Sequence, residues 1–324
     1  MPIIYVHGVF IRDDKDWDII HGLLRQFIAP KIAKDPQNVL ISRCYWGDRG
    51  AKFRWGGACA PSSPLRESMQ KLKNDALLSS LTSSVASVKD KLAEVEADMP
   101  KTVAEAKAHV LLTSAENIKR NLHATGHVAA RAVAEIKSPL NRFATMFIGD
   151  VLTYLTERGD YKSPGWIPSS FLASLTEARE NQKTRNGEPI IVLSHSMGGQ
   201  IVYDAVTHFL PRMEEFADTK IDFWVATASQ VGLFEELKLF LESSEDYTLE
   251  TGVKVPFPDR RHLGYWWNVW DHNDFISYSV RGIVDGVDDE NYSTGMFVVG
   301  AHNGYLELPS FYRKFAKKVA QALK

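Results

Sequence analysis

One stretch of the sequence combines a serine with the local pattern that exposes a nucleophile. The apolar run at residues 190–193 predicts a buried strand, and residues 200–206 have the spacing of a helix. Ser196 lies in the turn between them, two residues before Gly198, where only small neighbours leave room for a sharp strand-to-helix turn. A serine in this context is typical of nucleophilic catalysis. The alternative is an ordinary strand, turn and helix whose glycines serve close packing.

The sequence around this turn resembles the α/β-hydrolase superfamily, whose lipases and esterases often have His-Ser-Met-Gly or His-Ser-Leu-Gly at the nucleophile. Residues 195–198 read His-Ser-Met-Gly. The sequence departs from the G-x-S-x-G pattern at its first position, where Ser194 replaces glycine. The resemblance covers residues 1–55 and 143–324, and it implies a doubly wound α/β fold with the activity of a serine lipase or esterase.

The same resemblance implies the two partners of the serine, because the superfamily carries its triad in the order serine, acid, histidine. Asp274 follows an aromatic strand and corresponds to the aspartate that orients the histidine, with Asp271 as the alternative. Either aspartate could instead cap its own turn. His302 follows a strand predicted over residues 295–300 and corresponds to the general base. Ser196, Asp274 and His302 are therefore the predicted catalytic triad.

The resemblance also implies two backbone N–H donors for the oxyanion of an acyl-transfer reaction. The apolar strand at residues 3–6 runs into His7-Gly8-Val9, a turn that delivers one such donor in the superfamily. By this correspondence Val9 supplies one N–H group, and Met197, directly after the nucleophile, supplies the other. A plain strand end with a glycine turn is the alternative interpretation of this first loop.

Six predicted strands must position these residues. The chain begins with the His-Gly strand, so we expect the first two strands of the superfamily to be absent. The remaining strands would form a mainly parallel sheet of order 2-1-3-4-5-6 with helices on both faces, which brings the catalytic loops to one edge. The predicted strands lie at residues 3–6, 39–46, 190–193, 221–227, 265–270 and 295–300.

Residues 57–142 interrupt this pattern, so the hydrolase core is predicted to comprise residues 1–56 and 143–324. The interrupting segment lacks Phe, Tyr and Trp, although aromatic residues make up 11% of the chain. Its apolar residues recur at steps of three and four, which predicts long helices. Because the segment leaves the core near the predicted site, a cap or lid is favoured. The alternatives are a coiled-coil arm for a homo-oligomer, a helical layer on the body, and membrane-surface contact, which the weak local charge disfavours.

Composition limits the classes of protein that this chain can represent. Hydrophobic residues at 44% and charged residues at 24% are typical of a soluble globular protein, and a net charge of −2 gives no reason to expect nucleic acid. The two cysteines are too few for a disulfide framework. The chain start lacks a signal-peptide pattern, and no apolar run approaches the ~18 residues of a membrane span. We therefore predict a cytoplasmic location.

These features together predict a serine hydrolase that cleaves carboxylic esters through an acyl-enzyme. Its substrate would be a small-molecule or lipid acyl compound. No metal and no cofactor is predicted, because the sequence lacks the motifs that bind them and the triad needs neither. Thioester or amide hydrolysis on the same triad is one alternative. Another is an interaction protein that uses the helical insertion on a hydrolase scaffold.

Overall fold

The computed structural model describes residues 2–9, 11, 16–60, 141–185, 187–296 and 299–324. The chain divides into two compact units, one formed by Met1–Lys52 with Met146–Lys324 and the other by Phe53–Thr145. The apolar stripes predicted for the insertion fall between residues 61 and 140, outside the described residues, so the role of residues 57–142 stays a prediction.

The first unit is built on a six-stranded sheet in which every pair of neighbouring strands is parallel. The strands follow the order β2-β1-β3-β4-β5-β6, which confirms the doubly wound α/β class and the predicted order of the first five strands. Their carboxyl ends therefore meet at one edge, where this fold class places its ligands. The strands are β1 (Pro2–Val6), β2 (Leu40–Cys44), β3 (Ile191–His195), β4 (Ile221–Thr227), β5 (Leu263–Trp270) and β6 (Asp288–Asn291).

Helices and short turns connect these strands. α1 (Trp17–Leu23) passes through a π-helical segment (Leu24–Ile28) into α2 (Ala29–Ile32), and α3 covers residues 141–157. A small antiparallel pair, Gly159–Asp160 with Ser163–Pro164, precedes α4 (Trp166–Thr184). The remaining helices are α5 (Gly198–Asp204), continued by a π-helical segment (Ala205–Phe209) and α6 (Leu210–Arg212), then α7 (Val231–Glu236), α8 (Val299–Glu307) and α9 (Pro309–Ala322).

Successive residues of each strand point to opposite sides of the sheet, and helices cover the side chains on both sides. On one face, Tyr5 and Val225 belong to a core that also contains Leu24 and Phe315 from the helices that begin and end the chain. On the other face, Trp224 stacks on Trp266 with ring centroids 4.5 Å apart, and Tyr203 of α5 packs 5.6 Å from Trp266. No helix in the described part of the chain is long and apolar enough to cross a lipid bilayer.

The prediction of a last strand at residues 295–300 is wrong. The sixth strand is β6, which ends at Asn291, and the chain then passes through Gly295 with a φ of +72°. From Val299 the chain is helical, so His302 lies in the first half of α8 and not in a loop after a strand. Val299 and Gly300, the last two residues of the predicted strand, are therefore in a helix. Periodicity alone cannot distinguish a short buried strand from a buried helix.

The strand that forms instead has the sequence Asp-Asp-Glu-Asn, which has low intrinsic strand propensity. Its acidic side chains are satisfied by the polar atoms of the aromatic strand beside it. Asp289 accepts hydrogen bonds from Asn268 Nδ2 at 2.8 Å and Trp270 Nε1 at 2.9 Å, and Glu290 accepts one from Trp267 Nε1 at 3.2 Å. Cross-strand pairing of side chains thus stabilises an edge strand that propensity would exclude.

Candidate active site

The turn after β3 is a strained strand-to-helix turn, and Ser196 lies at its apex with a φ of +53°. This left-handed conformation is uncommon for a residue with a side chain. The surrounding structure holds it, since the Ser196 N–H group donates to the Thr227 carbonyl at 2.8 Å and the Gly199 N–H group donates to the Ser196 carbonyl at 2.9 Å. Gly198 must lack a side chain, because a Cβ atom there would lie 2.4 Å from the carbonyl oxygen of Val6.

The serine that replaces the first glycine of the motif has a defined partner. Ser194 is fully buried, and its hydroxyl accepts a hydrogen bond from Nε1 of Trp224 at 2.8 Å. Its carbonyl oxygen accepts a second bond from Oγ1 of Thr227 at 2.9 Å. The departure from glycine therefore gives a buried indole N–H group an acceptor and ties β3 to β4 beneath the turn.

The first loop lies directly against the candidate nucleophile. A Cβ atom added to Gly8 would lie 2.6 Å from Cβ of Ser196, so no larger residue fits. Val9 follows Gly8 and is buried, and Met197, the residue immediately before α5, is fully buried on the other side of the turn. Of the two residues predicted for the oxyanion hole, Met197 thus follows Ser196 directly in sequence, and Val9 follows the glycine that packs against Ser196.

His7 is part of the scaffold of this loop. Its Nε2 accepts a hydrogen bond from the Trp46 N–H group at 3.0 Å, and its carbonyl oxygen accepts one from Trp46 Nε1 at 3.0 Å. The two rings stack with centroids 4.7 Å apart. Because Nε2 is an acceptor here, the ring proton is on Nδ1, which lies 2.6 Å from the Gly8 carbonyl.

The structure brings Asp274 and His302 together although 28 residues separate them. Nδ1 of His302 lies 2.9 Å from Oδ2 and 3.1 Å from Oδ1 of Asp274. Both side chains are almost completely buried. A carboxylate only accepts hydrogen bonds, so the imidazole donates through Nδ1, and Nε2 takes no part in this bond. This is the tautomer that a general base acting through Nε2 requires.

The carboxylate of Asp271 is bonded to other partners than that of Asp274. Its Oδ2 accepts hydrogen bonds from the backbone N–H group and the hydroxyl of Thr294, at 2.6 Å and 2.7 Å, and its Oδ1 accepts one from the Asn273 N–H group at 3.0 Å. Asp271 therefore caps its own turn and fixes the segment that leads to α8. Neither the spacing of the aspartates nor the identity of Thr294 indicates in the sequence that Asp271 caps a turn while Asp274 binds the histidine.

The His302 helix is also bonded to the end of β3. His195, the residue before Ser196, lies with Nε2 2.7 Å from the carbonyl oxygen of His302, and the two rings pack with centroids 4.8 Å apart. The hydroxyl of Ser196 is buried and has no hydrogen-bond partner within the described part of the chain. The carboxyl edge of the sheet thus gathers a strained serine, a buried histidine and its carboxylate.

Among the described residues, no group of three His, Cys, Asp or Glu side chains lies close enough to hold a metal ion. The buried carboxylates outside the candidate site have protein partners. Asp204, for example, accepts from the hydroxyl of Tyr154 at 2.6 Å and from Arg158 at 2.9 Å, while burial raises its pKa.

Comparisons with known proteins give little beyond this geometry. No family model matches the sequence, and no curated protein matches it significantly. Among solved structures, the crystal structure of a variant of SOBER1 from Arabidopsis thaliana matches 48% of this chain and 66% of its own length, with 12% sequence identity and a TM-score of 0.25. The match therefore spans just under two thirds of that protein, and a likeness at this level supports no argument about activity. The fold class follows instead from the sheet itself, which is parallel, six-stranded and flanked by helices, as in doubly wound α/β proteins.

Proposed function

We propose that this protein is a serine hydrolase that cleaves carboxylic esters, with Ser196, His302 and Asp274 as its triad. The observation that carries the proposal is the buried His302–Asp274 pair, which is bonded through His195 to the strained turn that holds Ser196. A histidine oriented by a carboxylate, beside a serine lifted from the sheet edge, is the arrangement that activates a hydroxyl nucleophile.

In this mechanism the hydroxyl oxygen of Ser196 attacks the acyl carbonyl carbon, and Nε2 of His302 takes the hydroxyl proton. Asp274 holds the imidazole through Nδ1 and stabilises the imidazolium that forms. The N–H groups of Val9 and Met197 bind the negative oxygen of the tetrahedral intermediate, each contributing about 2.7–4 kcal/mol of transition-state stabilisation.

The intermediate collapses when His302 donates its proton to the alcohol leaving group, which leaves the acyl group on Ser196. A water molecule then attacks the acyl-enzyme while Nε2 of His302 takes its proton. The second tetrahedral intermediate releases the carboxylic acid and returns the proton to Ser196, so the enzyme is regenerated. Thioesters and amides can follow the same steps, with a thiol or an amine as the leaving group.

A serine-directed fluorophosphonate tests the nucleophile directly. We expect the probe to label Ser196, and we expect Ser196→Ala to lose both labelling and the hydrolysis of p-nitrophenyl esters. Ser229→Ala is the matched control, because Ser229 is also a buried serine after a neighbouring strand. Its hydroxyl accepts a hydrogen bond from the Val231 N–H group. Labelling that survives Ser196→Ala would contradict the assignment. A panel of esters, thioesters and anilides of equal acyl length would then rank the leaving groups.

A further inference from the structure

We propose that His195 is a positioning residue, which fixes the backbone of His302 against the turn that carries Ser196. The inference rests on the proposed function, because it assigns a role within that triad. His195 is not expected to touch substrate. It acts through His302, by holding the histidine helix at a set distance from the nucleophile.

The protonation of the His195 ring follows from its hydrogen bond. Nε2 lies 2.7 Å from the carbonyl oxygen of His302, and a carbonyl oxygen can only accept, so Nε2 carries a proton and donates. The donor is the last residue of β3 and the acceptor belongs to α8. The bond therefore joins the central strand of the sheet to the helix of the proposed base.

His302 lies on a helix, so the placement of the helix contributes to the position of its ring. The hydrogen bond to Asp274 fixes one ring nitrogen, whereas the freedom of the ring to move with its helix depends on how the helix is held. α8 has nine residues and is not a strand, so no ladder of sheet hydrogen bonds sets its position. A displacement of about 1 Å at a catalytic group can lower the rate by about 10²-fold. A bond from the residue adjacent to the nucleophile removes that freedom most directly.

The surroundings of His195 keep its ring neutral. Burial lowers its pKa to about 3, with a further contribution from the neighbouring imidazole of His302 and a smaller one from His7. Within the described part of the chain, the other titratable or charged groups near it line a small cavity of about 30 Å³ that His195 shares. They are Tyr5, Asp16, Arg43 and Glu307. Because the neutral ring of His195 lies 4.8 Å from His302, it places no positive charge beside the imidazolium that His302 becomes in the proposed reaction.

Three substitutions separate the hydrogen bond from the bulk of the ring. His195→Gln keeps an N–H donor at about the distance of Nε2, His195→Asn has the same amide on a shorter stem, and His195→Phe keeps a ring without a donor. The matched control is His262→Phe. His262 is also buried and contacts a backbone carbonyl, that of Thr219 at 2.9 Å, but it lies at the opposite edge of the sheet before β5.

For a p-nitrophenyl ester that the wild type hydrolyses, we expect His195→Phe and His195→Asn to lower kcat by about 10- to 100-fold with little change in KM. His195→Gln should recover most of the loss, and His262→Phe should keep a kcat near that of the wild type. Thermal unfolding of each variant shows whether it is folded. If His195→Phe does not fold, the Gln and Asn pair decides, because the two differ only in reach.

The position of His302 can also be followed without catalysis. The downfield proton NMR signal of the His302 Nδ1–H group reports its bond to Asp274, and it should persist in His195→Gln and shift or broaden in His195→Asn. A wild-type kcat and signal in His195→Asn or His195→Phe would overturn the inference, as would equal losses in the Gln and Asn variants. Absence of Ser196 labelling in the wild type would instead contradict the proposed function, and the NMR comparison would still decide the role of His195.

Discussion

Two aspartates three residues apart have different roles at the edge of the sheet. Asp274 bonds the imidazole of His302, whereas Asp271 accepts two hydrogen bonds from Thr294 and one from Asn273. The two carboxylates have different partners because they lie at different positions of the same short turn. Their substitutions should therefore separate catalysis from stability.

We expect Asp274→Asn to lower turnover by roughly 10³- to 10⁴-fold, because an amide no longer holds the imidazole in the required tautomer. Asp271→Asn should mainly lower the unfolding temperature, since its amide would place N–H groups against the donors of Thr294. Steady-state kinetics and thermal unfolding of both variants distinguish the two effects. If Asp271→Asn caused the larger loss of turnover in a folded protein, the role of orienting acid would pass to Asp271.

The buried ring of His195 also makes stability depend on pH. Its pKa is lowered from the ordinary 6.5 to about 3, chiefly by burial. Above pH 6.5 the ring is neutral in both the folded and the unfolded chain, so its contribution is fully present. Between pH 6.5 and 3 only the unfolded chain takes up the proton. This group should therefore lower the free energy of unfolding by up to about 1.4 kcal/mol for each pH unit of acidification.

Urea unfolding of the wild type and of His195→Gln from pH 8 to pH 4 measures this contribution. The difference in stability between the two proteins should be constant above pH 6.5 and should move in favour of the variant below it. Parallel curves over the whole range would show that the ring is accessible to protons in the folded state.

At the scale of elements, the aromatic strand and the acidic strand depend on each other. Besides the bonds from β5, Asp289 accepts from the Ser279 hydroxyl at 2.7 Å and from the Val280 N–H group at 2.8 Å. Lys314 of α9 lies 2.6 Å from Glu290. β6 is thus held in the sheet by side-chain bonds to a strand, a loop and a helix, and this network also supports the loop that carries Asp274.

We expect Asp289→Ala to lower the free energy of unfolding by about 3 kcal/mol or more, because it leaves several buried donors without their acceptor. Asp285→Ala is the matched control, since the side chain of Asp285 is 68% exposed and lies in the same segment. Chemical denaturation of both variants provides the measurement. A loss below 1 kcal/mol for Asp289→Ala would show that the edge strand is stabilised mainly by its backbone ladder.

At the scale of the whole molecule, the chain segments that precede and follow residues 53–145 are hydrogen-bonded to each other. Oδ1 of Asp150 accepts a hydrogen bond from the Ala51 N–H group at 2.7 Å, although 99 residues separate them. Further along, Tyr154 of the same helix and Arg158, which follows the helix, bond the buried Asp204 of α5. The two points at which the chain leaves and re-enters the core are therefore adjacent, and a short linker can join them.

Replacing residues 57–142 by a short Gly-Ser linker should therefore leave a folded core with a cooperative thermal transition. If the segment caps the pocket, as we predict, the shortened protein should still hydrolyse short esters but lose its discrimination among acyl chain lengths. An unchanged chain-length profile, together with a change from oligomer to monomer by light scattering, would identify the segment as an assembly arm and contradict the cap.

The sequence by itself determined the parts of this protein that depend on neighbouring residues. The apolar runs predicted five of the six strands, whereas the order of the strands was predicted from the resemblance to a family. The turn around Ser196 was recognisable because strand, small residues and helix follow each other directly along the chain. The expected Asp274–His302 contact depended on the resemblance to a family and not on any local pattern.

Only the tertiary structure decided the remaining features. β6 forms because its carboxylates meet donors about twenty residues earlier in the chain, so its own low strand propensity is misleading. Two further hydrogen bonds also join residues that are far apart in sequence, one from Trp224 to Ser194 and one from His195 to the helix of His302. The different roles of Asp271 and Asp274 likewise depend on distant partners. Hydrophobic periodicity is a local property of the chain, whereas these hydrogen bonds exist only after the strands have packed side by side.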